Sequence, residues 1–211
     1  MVKSAEDYMI EIKNMKSDLD EFDTNKNYPG YCWRRTKDPA YTANQLKTRI
    51  STYVGKFGTF SYTIDTREQK PFKLPNSTVT TIKTGDYAGY FESPEHKMFR
   101  IPICFERKSE NDLYRTLMNK KSRERFYREI DRKGSMDFFI IVECSKSDFM
   151  IYKPVGSNAN HKQLIPQKRG VLDSLEIRGA HVMWEGSRNE CQHRIQGLCR
   201  QWVIKHFLDI V

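Results

Sequence analysis

The 211-residue chain is 38% hydrophobic and 12% aromatic, enough for a buried core, and its 30% charged residues leave a formal charge of +9 that points to a polyanionic partner. No apolar run reaches the roughly 20 residues of a membrane span, and the N-terminus MVKSAEDYMIEIKNMK lacks a signal peptide's apolar block. The five cysteines (Cys32, Cys104, Cys144, Cys191, Cys199) are odd in number and follow no framework spacing, so they read as reduced thiols and the chain as intracellular.

In chain order, residues 3–22 place Tyr8, Ile12, Met15, Leu19 and Phe22 at steps of four and three, the apolar face of one helix. The stripe is short, which favours docking on a domain over a coiled coil. From Asn25 to Gly58 the character changes: NYPGYCWRRTKDPAY sets Trp33, Arg34 and Arg35 among tyrosines, with Asp38 its only acid. Such a segment either grips phosphates and stacks on bases or is a surface loop around a partly buried tryptophan. Residues 1–58 thus form an N-terminal extension and 59–211 the main domain.

FSYTID reads as a strand ending at Asp65, VTTIKTGDYAGYF as one or two strands with a turn at Gly85, ESPEH as a hairpin turn and MFRIPICFERK as a long strand. Residues 109–134 are helical, with a break near Asn119 to Ser122. DFFIIVE is apolar throughout, as a strand covered on both faces must be. QKRGVLDSLEIRG reads as a helix, AHVMWEG as a strand and residues 187–210 as a closing helix. Antiparallel strands followed by strand–helix alternation predict an α/β fold with a mixed sheet flanked by helices. Cys191, His193 and Cys199 resemble metal ligands in type, but a helix would point them in different directions.

The chemistry concentrates in FERKSENDL, residues 105–113. Residues two apart in a strand share a face, so Glu106 and Lys108 point one way while Phe105 and Arg107 point the other. A carboxylate can bind a hard divalent cation, and a neighbouring ammonium can hold a water and meet charge on an attacked phosphate. Asp86, after Gly85 on the adjacent strand, is the natural second ligand; Asp65 and Glu68 in DTREQ extend the cluster, with Arg67, Arg107 and Lys108 to offset its repulsion. Each acid alone also fits a structural role, Asp86 as a turn residue and Glu143 as a cap or supporting acid. Ser109 and Asp112 fit a reciprocal helix N-cap. The exposed bases expected to meet nucleic acid are Arg34, Arg35, Lys120, Lys121, Arg123 and Arg125, with Arg67 and Arg107 nearer the acids.

Residues from about Phe60 to Phe207 resemble the XPF-type nuclease domain, a branch of the PD-(D/E)xK superfamily, through IDTRE (64–68), GDY (85–87) and ERKSENDL (106–113). The resemblance implies a restriction-endonuclease-like fold and a Mg²⁺-dependent endonuclease, with Mn²⁺ as substitute. Its substrate would be DNA phosphodiesters, often at branches, flaps or forks, as in repair or recombination. It implies metal binding by Asp86 and Glu106, with Asp65 in the same cluster, and catalysis by Lys108. An inactive relative serving as a DNA-binding or scaffold subunit would lack those acids. The sequence departs from the family in a longer MNKKSRERF segment, where Arg125 matches the family arginine, and in extra residues 145–170. It also shows no counterpart of the paired helix-hairpin-helix module, which leaves room for a separate targeting subunit. A homodimer through the last helix is expected as well. Ile195, Leu198, Cys199, Trp202, Val203, Ile204, Phe207, Leu208 and Ile210 make that helix apolar over most of its circumference.

Overall fold

The computed structural model describes residues 3–25, 39–155 and 160–210. They fall into two compact units: Met1–Thr59 with Phe91–Phe99 and Arg200–Val211, and Phe60–Tyr90 with Arg100–Cys199.

In the first unit, Ser4 opens helix α1 (Ala5–Asn25) with a reciprocal cap. The Asp7 amide donates to Ser4 Oγ at 3.1 Å, and Asp7 Oδ2 accepts from the Ser4 amide at 2.8 Å. Tyr8, Met9 and Ile12 are buried, and α1 packs along α2 (Pro39–Phe57). Helix α2 corrects the reading of residues 25–58, which anticipated no helix. Its signal was present: Pro39 at the first helical position, then Thr42, Leu46, Ile50, Tyr53 and Val54, all buried, on one face. The basic aromatic segment with Trp33, Arg34 and Arg35 lies outside the described residues.

Six strands form one sheet in the order β2-β1-β3-β4-β5-β6. They are β1 (Thr59–Asp65), β2 (Ser77–Thr80), β3 (Tyr87–Ser93), β4 (His96–Lys108), β5 (Asp137–Val142) and β6 (Ala180–Trp184). The sheet is mixed, as expected, but β1 and β2 pair in parallel rather than antiparallel, with Ile64 opposite Val79 and Asp65 opposite Thr80. The connection 66–76 is long enough to return the chain to the same end of the sheet, which a hairpin turn is not. Strands β4 and β5, and β5 and β6, are also parallel.

Strand β5 lies between β4 and β6, with Phe138, Ile140, Ile141 and Val142 all buried. Its residues share a core with Leu113 of α3 (Glu110–Met118), Phe126 and Ile130 of α4 (Lys120–Asp131), Phe149 of α5 (Lys146–Ile151) and Leu175 of α6 (His161–Ile177). The break between α3 and α4 falls at Asn119, whose extended backbone ends one helix while its Oδ1 accepts from the Ser122 amide at 3.0 Å to start the next. Helix α5 was not anticipated, and α6 begins ahead of the expected Gln167. Buried Lys168 joins the two, donating to the carbonyls of Phe149, Met150 and Tyr152 at 2.7, 3.1 and 2.6 Å at the end of α5. Helix α7 (Arg188–His206) closes the chain and runs into a short 3₁₀ turn, Phe207–Asp209. Among the described residues no helix is long and apolar enough to cross a membrane.

Candidate active site

The carboxyl ends of β1, β4 and β5 meet at one edge of the sheet, and β3 starts there. Gly85 makes the meeting possible. Its φ is +80°, and a Cβ at that position would stand 2.8 Å from the Phe105 carbonyl oxygen. Past Gly85, the Asp86 amide donates to Phe105 O at 2.7 Å, the Asp65 amide donates to Asp86 O at 2.8 Å, and the Arg107 amide donates to Asp86 Oδ2 at 2.8 Å. Two strands, β1 and β4, thereby lock Asp86 in place. Glu106 and Lys108 share one face of β4, as the strand period requires, and Lys108 Nζ donates to Glu106 Oε1. Lys108 Nζ also lies 5.1 Å from the Phe126 ring centroid.

Asp86, Glu106 and Lys108 line a polar cleft of about 790 Å³ together with Arg67, Glu68, Arg107, Asp112, Glu143 and Arg188. Burial pushes the Asp86 carboxyl up to about 6, against the Arg107 amide and Lys108, which favour its charged form. Burial pushes Glu106 up more strongly, with Asp86 and Glu129 adding repulsion that Lys108 only partly offsets. For Lys108, burial opposes the charge, but Glu106, Asp86 and Glu129 outweigh it and raise the pKa.

The other acids are placed differently. Asp65 is buried and both its oxygens are taken. Oδ1 accepts from the Arg67 amide at 2.8 Å and Arg67 Nε at 2.6 Å; Oδ2 accepts from Arg67 Nη2 at 3.1 Å and the Ile82 amide at 2.7 Å. The bonds from Arg67 lead in holding Asp65 low, at about 2. Glu68 Oε1 accepts from the Lys70 amide at 2.6 Å and lies 3.7 Å from Arg107 Nη1. Arg107, expected among the DNA-facing bases, is instead largely buried. Its Nε and Nη2 donate to the two oxygens of Glu143 at 2.8 and 2.9 Å. Arg188 joins from α7, donating to Glu143 Oε1 at 2.8 Å and to the carbonyls of Lys70 and Pro71 at 2.5 and 2.6 Å. Arg188 and Glu129 were not anticipated. Glu129 sits one helical turn after Phe126 and acts electrostatically on Asp86, Glu106, Lys108 and Arg67; its position three residues after Phe126 was the available signal.

Ser109 caps α3: the Asp112 amide donates to its Oγ at 3.3 Å, and its Oγ donates to Asp112 Oδ2 at 2.5 Å. Of the α4 bases, Lys120, Lys121 and Arg125 are exposed, while Arg123 Nη1 donates to the Leu117 carbonyl at 2.6 Å. Arg34 and Arg35 lie outside the described residues.

The sequence expects four metal-binding acids, Asp65, Glu68, Asp86 and Glu106. Among the described residues no group of three or more His, Cys, Asp or Glu is disposed to hold a metal. Asp86 and Glu106 nevertheless fit a small hard cation, because Glu106 Oε2 is buried without a hydrogen-bond partner. Mg²⁺ commonly takes one or two carboxylates and completes its shell with waters and substrate oxygens.

The family model of the ERCC4 domain matches residues 64–198, a span that holds every residue of this cleft. The chain belongs to the ERCC4 domain family. That membership bears out the XPF-type nuclease resemblance carried by IDTRE, GDY and ERKSENDL. Solved structures similar to this ERCC4 domain include XPF from Aeropyrum pernix, 18% identical with a TM-score of 0.44 over 67% of this chain and 64% of that one. XPF from Aeropyrum pernix in complex with DNA matches at 18% identity and a TM-score of 0.45 over 68% and 64%. The chain thus spans less than two thirds of the length of those structures. No curated protein matches it.

Proposed function

We propose that this ERCC4 domain is a divalent-metal-dependent DNA endonuclease whose reaction takes place in the cleft of Asp86, Glu106 and Lys108. The observation that carries the reading is Glu106: a carboxylate buried with one oxygen unpartnered, beside a second carboxylate and an ammonium. Most buried carboxylates that serve only structure have their lone pairs filled. Asp86 and Glu106 would hold Mg²⁺, with Mn²⁺ as substitute, and the metal would polarise the scissile phosphate and lower the pKa of a bound water. Lys108, kept cationic by its acidic neighbours, orients the attacking water and stabilises charge building on the phosphate. Lys120, Lys121 and Arg125 are free to meet backbone phosphates beyond the cleft. Branched, flap or fork DNA are the substrates to compare first. Incubation with Mg²⁺ and labelled single strands, duplexes, flaps and forks should give cleavage that EDTA abolishes. No cleavage of any form with Mg²⁺ or Mn²⁺ would leave a DNA-binding or scaffold subunit as the reading.

We also propose a homodimer formed through the last helix. Leu198, Trp202, Ile204 and Leu208 are only half covered, and Gln201, Ile204 and Lys205 of α7 line a mainly apolar groove of about 660 Å³ with Ala43, Leu46 and Ile50 of α2. Light scattering at micromolar concentration decides: twice the 25.0 kDa chain mass, lost on Trp202→Glu, supports the pairing, and the single mass rules it out.

A further inference from the structure

Asp65 lies next to the cleft acids in the fold, yet its carboxylate has nothing left to give a metal. A carboxylate has about four acceptor positions. Those of Asp65 receive four N–H groups, from the Arg67 amide, Arg67 Nε, Arg67 Nη2 and the Ile82 amide. Its side chain is 1% exposed and is not part of the cleft wall. Arg67 is the reverse case: its side chain is 67% exposed and it lines the cleft.

The guanidinium has five N–H bonds. Nε and one Nη2 hydrogen go to Asp65, and the other Nη2 hydrogen goes to the Ile82 carbonyl at 2.9 Å. The two Nη1 hydrogens remain. An ordinary exposed arginine loses rotamer freedom when it grips a ligand. This one has lost it on folding, because three bonds fix the plane of the group. Asp86 and Glu129 attract it further.

We infer that Asp65 is a positioning residue, which holds Arg67 so that its free Nη1 edge donates to a phosphate oxygen of a nucleic-acid strand lying in the cleft. The identity of that strand rests on the nuclease reading above. Because Asp65 cancels most of the arginine's charge, the contribution comes from direction. A lysine, with its single rotating ammonium, does not replace it.

The test is a double-mutant cycle in the full chain. Wild type, Asp65→Asn, Arg67→Ala and the double variant are titrated with a fluorescent forked oligonucleotide in Ca²⁺, and separately with Mn²⁺ without DNA. Each single variant should weaken DNA binding about tenfold, the scale of one well-directed hydrogen bond. The double variant should be no weaker than Arg67→Ala, and Arg67→Lys should stay close to Arg67→Ala. Mn²⁺ affinity should stay within about threefold of wild type in all four, while Asp86→Asn loses it. Additive losses of DNA binding would overturn the inference. So would a loss of Mn²⁺ affinity in Asp65→Asn like that in Asp86→Asn, which would make Asp65 a ligand. If Asp65→Asn does not fold, Arg67→Ala decides alone: wild-type DNA affinity in that variant overturns the inference. Failure of the nuclease reading looks different, as DNA binding without cleavage or Mn²⁺ binding indifferent to Asp86→Asn.

Discussion

Replacing Asp86 by asparagine should stabilise the metal-free protein while destroying its function. Burial raises the Asp86 carboxyl from an ordinary 3.8 to about 6, which corresponds to about 3 kcal/mol disfavouring the ionised folded state. The sign follows from proton binding. Between the unfolded and folded pKa values the folded chain holds a proton that the unfolded chain has released, so stability falls as pH rises from about 4 to 6 and then levels off. Asparagine carries no charge, and its side-chain oxygen can still accept the Arg107 amide that now donates to Asp86 Oδ2 at 2.8 Å. With 3 kcal/mol as an upper bound, and about 2–4 °C of Tm per kcal/mol at this chain length, the variant should melt several degrees above wild type in EDTA at pH 7.5. The gap should close near pH 4. Adding Mg²⁺ should raise the wild-type Tm and leave the variant unmoved. Thermal melts across pH, with and without metal, measure all of this. An Asp86→Asn protein that melts below wild type at every pH would refute the reasoning and make Asp86 a structural turn residue.

Lys108→Ala should cut turnover strongly with the fold intact, and Lys108→Arg should not restore it, because a planar guanidinium cannot take the place of an ammonium bonded to Glu106; single-turnover cleavage measures both. Arg107→Met should lower stability by about 3 kcal/mol, the low end for breaking a buried pair, because Arg188 still serves Glu143; chemical denaturation checks this. DNA affinity should fall steeply with salt, and Lys120→Ala with Lys121→Ala should flatten the slope of log affinity against log salt by about two. Charge removal at Arg34 and Arg35 should flatten it too, and an unchanged slope would return that segment to a plain surface loop.

Much of this was legible in the sequence because the local rules were strong. The period of two placed Glu106 with Lys108, the glycine before Asp86 marked a forced turn, and the apolar DFFIIV marked a covered strand. Ser109 and Asp112 spelled their own cap. Other features depended on tertiary closure. Nothing near Asp65 says that Arg67 folds back on it and that four N–H groups fill its carboxylate. Arg107 reads as a DNA contact because Glu143, whose carboxylate holds it, lies far away in the chain. Helix α2 carried a periodic apolar face, but the aromatic and basic residues ahead of it dominated the reading of that stretch.

The most direct test of the central claim is single-turnover cleavage of a labelled forked DNA in Mg²⁺ by wild type and by Glu106→Gln, with binding of the same DNA measured in Ca²⁺. Glutamine matches the neutral form of the buried carboxyl in shape and can still accept from Lys108, but it lacks the charge to hold a cation. The account predicts that wild type cleaves, and that the variant binds the DNA within a few-fold of wild type without cleaving it. Cleavage by Glu106→Gln at the wild-type rate would contradict the account.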